Sequence, residues 1–111
     1  MATVTNLYVD QGSFFRTNVT VSSTNGLPLD LTGYTVASQM RKSYQSSTAY
    51  SFTTSISNPT QGRVRIELSS ETSRTIPAGR YLYDLEVTSP GGEKTRVVEG
   101  LVIVNPEITK I

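Results

Sequence analysis

The amino-acid sequence predicts an all-β fold, an antiparallel β-sandwich of about seven strands. Apolar and polar residues alternate through most of the chain, which is the two-residue period of a half-buried strand. Turn signals containing Gly, Pro or Asn interrupt this alternation roughly every ten residues. The 111 residues include 16 Thr and 14 Ser, which favour pleated surfaces and turns over helices.

The first half of the chain is predicted to contain three strands. They cover Thr3 to Val9, Ser13 to Ser22 and Tyr34 to Arg41. Before the third strand, Leu29-Asp30-Leu31-Thr32-Gly33 forms a corner in which Asp30 accepts local backbone hydrogen bonds. Gly33 permits a positive φ if the turn demands it. A polar segment, Lys42 to Ala49, then connects the two halves.

The second half is predicted to contain four strands and one short helical turn. The strands run from Tyr50 to Ile56, Val64 to Leu68, Arg80 to Ser89 and Lys94 to Val104. Between the second and third of them, Ser69 to Thr75 begins with Ser followed by Glu, which is typical of the first turn of a helix.

The last predicted strand carries apolar residues on both faces. Val97, Leu101 and Ile103 have one parity, whereas Val98, Val102 and Val104 have the other. Two interpretations stay open. Either Gly100 forms a β-bulge that switches the faces, or the strand is covered on both sides.

The segment that precedes Tyr81 resembles a corner of immunoglobulin-like domains. In such domains a tyrosine near the start of the sixth strand donates its hydroxyl to an upstream backbone group, and Tyr81 is at the matching place. Tyr83 is at the position where antibody domains have a cysteine, and the chain has no Trp. The resemblance implies an immunoglobulin-like sandwich but not an antibody-type domain.

Composition excludes most catalytic chemistry. The chain has no Cys and no His, so thiol nucleophiles, Cys/His zinc sites and imidazole bases are ruled out, and no Ser has a plausible base. Asp84 and Glu86 share a strand face, yet we interpret them as solvated surface charges. We therefore predict no enzyme activity, no catalytic residue, no cofactor and no metal.

Charge and length indicate a single domain over residues 1–111 without nucleic acid or membrane partners. Ten basic and nine acidic residues give a net charge of +1, too small to attract a polyanion or an anionic lipid surface. The first ten residues lack the basic start and apolar stretch of a signal peptide. We expect the protein to be used without secretion.

Several outward-facing residues are candidates for a protein interface. Arg suits interfaces because its planar fork pairs with carboxylates and stacks on aromatic rings. Pro106 should end the last strand and leave residues 105–111 as a C-terminal arm, which either folds back as an extra strand or docks on another protein. The candidates are Arg41, Arg63, Arg65, Tyr44, Ile108 and Ile111.

Four blocks of the sequence carry a family resemblance. They are Leu29-Asp30-Leu31-Thr32-Gly33-Tyr34-Thr35-Val36, Gln39-Met40-Arg41-Lys42-Ser43-Tyr44, Gly79-Arg80-Tyr81-Leu82-Tyr83-Asp84-Leu85 and Arg96-Val97-Val98-Glu99-Gly100. Together they resemble small β-sandwich virion structural proteins of tailed bacteriophages, notably phages of cyanobacteria, over roughly Val9 to Thr109. The order of strands and the Leu-Thr-Gly corner are more loosely similar to N-terminal domains of phage baseplate upper proteins.

The resemblance implies a non-enzymatic structural component of a phage virion, assembled in the host cytoplasm. It would be oligomeric within the particle and pack against other virion proteins of the tail, baseplate or neck. Two alternatives stay open: a capsid-surface decoration protein, and a carbohydrate-binding module that contacts the host surface. Surface aromatics with paired amides would support the latter, and the polar loop from Ser43 to Thr48 is its candidate.

Overall fold

A computed structural model describes residues 3–23 and 26–109 and shows nine β-strands and one short α-helix in that part of the chain. The strands are β1 (Thr3–Val4), β2 (Leu7–Asp10), β3 (Phe15–Thr20), β4 (Thr35–Arg41), β5 (Tyr50–Ser51), β6 (Thr53–Asn58), β7 (Arg63–Leu68), β8 (Gly79–Thr88) and β9 (Lys94–Asn105). The helix α1 spans Ser70–Thr75, and Pro59–Gln61 form a 3₁₀ turn. The all-β prediction is confirmed.

The strands form two sheets that pack face to face. The large sheet has the order β1-β9-β8-β4-β5, with β2 also paired to β9, and the small sheet has the order β3-β7-β6. All neighbours are antiparallel except β1 and β2, which run parallel to β9. This is a two-sheet β-sandwich with a parallel N-terminal edge.

Two of the predicted strands are each broken in two, which accounts for the larger strand count. The first predicted strand is interrupted between β1 and β2, and both parts keep the same register on β9. The fourth is interrupted at Phe52, whose N–H donates to Ser38 of the large sheet before β6 joins the small sheet. The chain therefore changes sheets at this residue.

Alternating side chains from both sheets fill the space between them. Leu85 and Val87 of β8 and Val64 and Ile66 of β7 are almost completely buried. Phe52 lies at the centre of an aromatic group, with its ring centroid 6.3 Å from Phe15 and 6.1 Å from Tyr83. Edge-to-face and tilted pairs at this distance stabilise a core beyond area burial.

The predicted helical turn is present and is held by two serine side chains. The Ser69 hydroxyl accepts a hydrogen bond of 3.1 Å from the Thr72 N–H and caps the helix. The buried Ser73 hydroxyl donates to the Ser13 carbonyl at 2.8 Å and accepts from the Gly12 N–H at 3.1 Å. These bonds attach α1 to the turn between β2 and β3.

The tyrosine corner occurs at the predicted residue. The Tyr81 hydroxyl donates to the Pro77 carbonyl oxygen at 2.5 Å. Burial raises the pKa of the Tyr81 phenol, and the Lys42 ammonium lies 4.6 Å from its ring centroid. The bond fixes the approach of the chain from α1 into β8.

The corner before β4 also has the predicted geometry. Gly33 has a φ of +82°. The Asp30 carboxylate accepts hydrogen bonds from both the hydroxyl and the N–H of Thr32, and these two bonds lower the pKa of Asp30.

The β-bulge in the last strand is at Val97, so the interpretation that placed it at Gly100 is wrong. Leu85 pairs with Val98 while Glu86 pairs with Arg96, which leaves Val97 as the extra residue. From Val98 onward the even-numbered residues keep facing the core.

Among the residues that the structure describes, no helix is long and apolar enough to cross a membrane.

A candidate binding groove on the large sheet

The outward face of the large sheet brings together side chains that are far apart in sequence. Cross-strand pairing aligns Val4, Glu99, Asp84 and Gln39 in one row over β1, β9, β8 and β4. In the neighbouring row Leu101 pairs with Leu82, and Leu82 with Arg41. Asn6 completes that row, because its Oδ1 accepts a hydrogen bond of 3.0 Å from the Leu101 N–H.

The segment between β4 and β5 forms a wall beside these rows. Arg41 attaches it to the sheet by donating to the Ser46 carbonyl at 2.6 Å and to Gln39 Oε1 at 3.2 Å. Gln39 Nε2 lies 3.4 Å from the Ser51 hydroxyl, to which it donates. The base of the segment that carries Tyr44 is therefore fixed to the sheet.

Together these elements enclose an open groove with a volume of about 620 Å³. Leu82, Leu101 and Gly100 lie along its floor. Tyr44 and Val4 stand at its two sides and are 77% and 69% exposed. The groove thus has a floor that is apolar at Leu82 and Leu101 and charged at Asp84 and Glu99, with an exposed aromatic ring at its rim.

Charged side chains occupy the middle of the groove, on β8 and β9. Arg96 Nε lies 3.1 Å from Asp84, and its Nη1 lies 3.4 Å from Glu99. The Asp84 carboxylate, with a smaller contribution from Glu99, raises the pKa of the Arg96 guanidinium. Glu86 is opposite Arg96 in the β8–β9 register. Asp84 is therefore an ion-pair partner of Arg96 on the sheet surface.

The structure divides the predicted interface residues among three places. Arg41 and Tyr44 line the groove together. Arg63 and Arg65 point outward from β7 on the opposite sheet, and the buried Nε of Arg65 has no hydrogen-bond partner among the described residues. Ile108 is 95% exposed on the C-terminal arm. Ile111 lies outside the described residues.

Sequence reasoning did not single out Asn6, Gln39, Arg96 and Glu99 as part of this surface. The alternation of β4 and β9 indicates which of their residues point outward, but it does not show which strands become neighbours. No group of three or more Asp or Glu side chains suited to a metal ion occurs within residues 3–23 and 26–109.

The first residues of the C-terminal arm are tied to the body of the domain. The Glu107 N–H donates to Gln11 Oε1 at 3.1 Å, and Gln11 Nε2 donates to the Ile76 carbonyl at 3.0 Å. The Glu107 carboxylate lies 3.8 Å from Arg74. Residues 106–109 form no strand, so the described part of the arm does not fold back onto a sheet.

No protein-family model and no curated protein sequence matches this chain. Solved structures with a similar fold include an internalin-like protein of Listeria monocytogenes. The match has a TM-score of 0.45 and 9% sequence identity, and it covers 96% of this chain and 28% of that one. Another is a family 123 glycoside hydrolase from Clostridium perfringens, with a TM-score of 0.44 and 11% identity over 97% of this chain and 24% of that one. The chain spans about a quarter of each. At these TM-scores and sequence identities, the similarity supports no conclusion about function.

Proposed function

We propose that this chain is a non-enzymatic structural component of a tailed-phage virion and packs against tail, baseplate or neck proteins. The four sequence blocks that resemble small phage virion proteins support the class of particle. The observation that carries the packing role is the exposure of Ile108, whose side chain is 95% accessible although the residue before it is anchored.

The anchor matters because it fixes where Ile108 is presented. Glu107 contacts Gln11 through its backbone and Arg74 through its carboxylate. Ile108 therefore leaves the domain from a defined point. Burial of its side chain by a neighbouring subunit would contribute roughly 1.5 to 3 kcal/mol to association.

A second exposed apolar side chain follows the turn that the Glu107 carboxylate contacts. The Glu107 carboxylate packs closely over Gly12, and Phe14, which is two residues from Gly12, is 56% exposed. The Arg16 guanidinium lies 5.1 Å from the Phe14 ring centroid and leaves much of the ring accessible. Phe14 and Ile108, here called the end patch, offer a partner two apolar anchors beside an Arg.

Removal of residues 108–111 tests the proposal without touching the Glu107 anchor. We expect the shortened protein to keep its melting temperature and to be lost from purified particles. Leu27→Ser serves as the control, because Leu27 is also exposed but lies outside the end patch, and this variant should be incorporated normally.

Normal incorporation of the shortened protein would refute the role of the arm. Electron microscopy of particles that carry a labelled copy would then separate the two locations on the virion. A label on the tail, baseplate or neck supports the proposal, whereas a label on the head surface favours the decoration alternative.

A further inference from the structure

We propose that the groove on the large sheet binds a neutral oligosaccharide, which stacks on Tyr44 and hydrogen-bonds to the amides and carboxylates along the groove. This inference goes beyond the packing role, because it concerns the sheet face and not the end patch. It does not depend on the position of the protein in a particle.

The size of the groove suits a short chain of sugar rings. The row from Val4 to Gln39 crosses four neighbouring strands and spans about 14 Å at the usual strand spacing. The volume of about 620 Å³ lies within the range of small-molecule sites. Because the groove is open to solvent and crosses several strands, an oligosaccharide can lie in it lengthwise.

Two apolar elements of the groove suit the apolar face of a sugar ring. A pyranose ring has a face of C–H groups, which packs on aromatic rings, and Tyr44 offers an exposed ring at the rim. Leu82 and Leu101 give the floor a second apolar surface. Such a ring and floor hold a sugar in place without any charge on it.

The polar groups of the groove are oriented before any ligand arrives. Gln39 has its oxygen held by Arg41 and its nitrogen directed to Ser51, so its amide plane is fixed. Asn6 uses its oxygen on the Leu101 N–H, which leaves its NH₂ group available as a donor. Gln39 and Asn6 lie on opposite sides of the groove, so they can hydrogen-bond to different rings of one oligosaccharide.

Glu86 adds an acceptor to this set. It lines the groove, and no hydrogen bond to its carboxylate occurs within the described part of the chain. A carboxylate binds sugar hydroxyls well because it accepts from two donors at once.

The charge of the groove favours a neutral sugar over an acidic one. Three carboxylates, from Asp84, Glu86 and Glu99, face two guanidinium groups, from Arg41 and Arg96. Arg96 is paired with Asp84 and Glu99, and Arg41 already donates to the Ser46 carbonyl and to Gln39. A sialylated, uronic or sulfated glycan would therefore meet an excess of negative charge.

A glycan array probed with the labelled full-length chain tests this inference. The slide should carry neutral hexose and N-acetylhexosamine oligosaccharides together with sialylated and sulfated ones. We expect retention on one or more neutral glycans and none on the acidic set. Calorimetry with the best neutral glycan then supplies affinities for the variants.

The variants separate the groove from the rest of the surface. We expect Tyr44→Ala to weaken binding about tenfold or more, and Glu86→Gln and Gln39→Ala to weaken it severalfold. Tyr8→Ala is the matched control, since Tyr8 is an exposed tyrosine on the same sheet face that does not line the groove. Arg63→Ala provides a second control on the opposite sheet.

Three results would overturn the inference. They are an array on which no glycan is retained, retention of acidic glycans alone, and equal losses for Tyr44→Ala and Tyr8→Ala. If the array is empty and Tyr44→Ala also prevents incorporation into particles, the groove is a protein interface and not a glycan site.

Discussion

The Tyr83 hydroxyl donates a hydrogen bond of 2.6 Å to the Thr5 carbonyl oxygen, although a complete strand, β9, separates β8 from the N-terminal edge. The two groups meet because the β9 residue paired with Tyr83 is Gly100. No side chain stands between them, and the Thr5 carbonyl oxygen occupies the space that a Cβ at Gly100 would need. The Thr5 carbonyl, which lies in the break between β1 and β2, thus receives its hydrogen bond from a side chain of the core.

Gly100→Ala should destabilise the fold by about 1 to 3 kcal/mol. A Cβ at this position would overlap the Thr5 carbonyl group, which is backbone and cannot rotate away. Urea denaturation measures the loss. Gly91→Ala is the matched control, because the nearest atom to a Cβ there is the Ser89 hydroxyl at 3.8 Å. Equal midpoints for the two variants would contradict the close approach.

Tyr81→Phe should cost about 1 kcal/mol, since it leaves the Pro77 carbonyl without its hydroxyl donor. The ring remains in place, so the change isolates the hydrogen bond of the tyrosine corner. Tyr8→Phe, at a tyrosine that is 66% exposed, should leave the denaturation midpoint unchanged. A midpoint for Tyr81→Phe equal to the wild-type value would show that the corner bond contributes nothing.

Stability should fall at alkaline pH through the buried tyrosines. Burial raises the pKa of the Tyr83 phenol from 10.0 to about 12. The unfolded chain therefore releases this proton at a lower pH than the folded chain does. The contribution of protonated Tyr83 to the free energy of unfolding is complete below pH 10 and is lost as the pH rises towards 12.

Urea midpoints at about pH 8 and about pH 11 test this dependence. The wild-type midpoint should fall between them, and Tyr83→Phe should reduce the fall because one raised pKa is removed. An equal fall in both proteins would exclude Tyr83 as its source.

Gly62→Ala should be more damaging than Gly26→Ala. Both glycines have a positive φ, +65° and +83°, so both substitutions carry a similar backbone cost of roughly 1 to 2 kcal/mol. At Gly62 the added Cβ would also lie 2.5 Å from the Val21 carbonyl oxygen, whereas at Gly26 nothing lies within 4 Å. Thermal denaturation of the two variants measures the difference, and equal melting temperatures would contradict it.

The sequence by itself determined the class of fold and the inward face of most strands. In β8, Tyr81, Tyr83, Leu85 and Val87 are all buried, and they alternate with the outward residues Leu82, Asp84 and Glu86. The position of the tyrosine corner, the short helix after β7 and the positive φ of Gly33 were also predictable. Each of these features depends on residues within a few positions of one another, so the local pattern is enough.

The tertiary structure alone decided the pairing of distant segments. β1 and β2 lie about 95 positions from the β9 residues with which they pair, and their parallel direction leaves no local trace. The bulge at Val97 was ambiguous for the same reason. Which residues of β9 face the core depends on the β8 residue that pairs with each of them, and the sequence does not give this pairing. The groove that joins Tyr44, Gln39 and Asn6 likewise exists only because register, a long-range property of the folded chain, sets these side chains side by side.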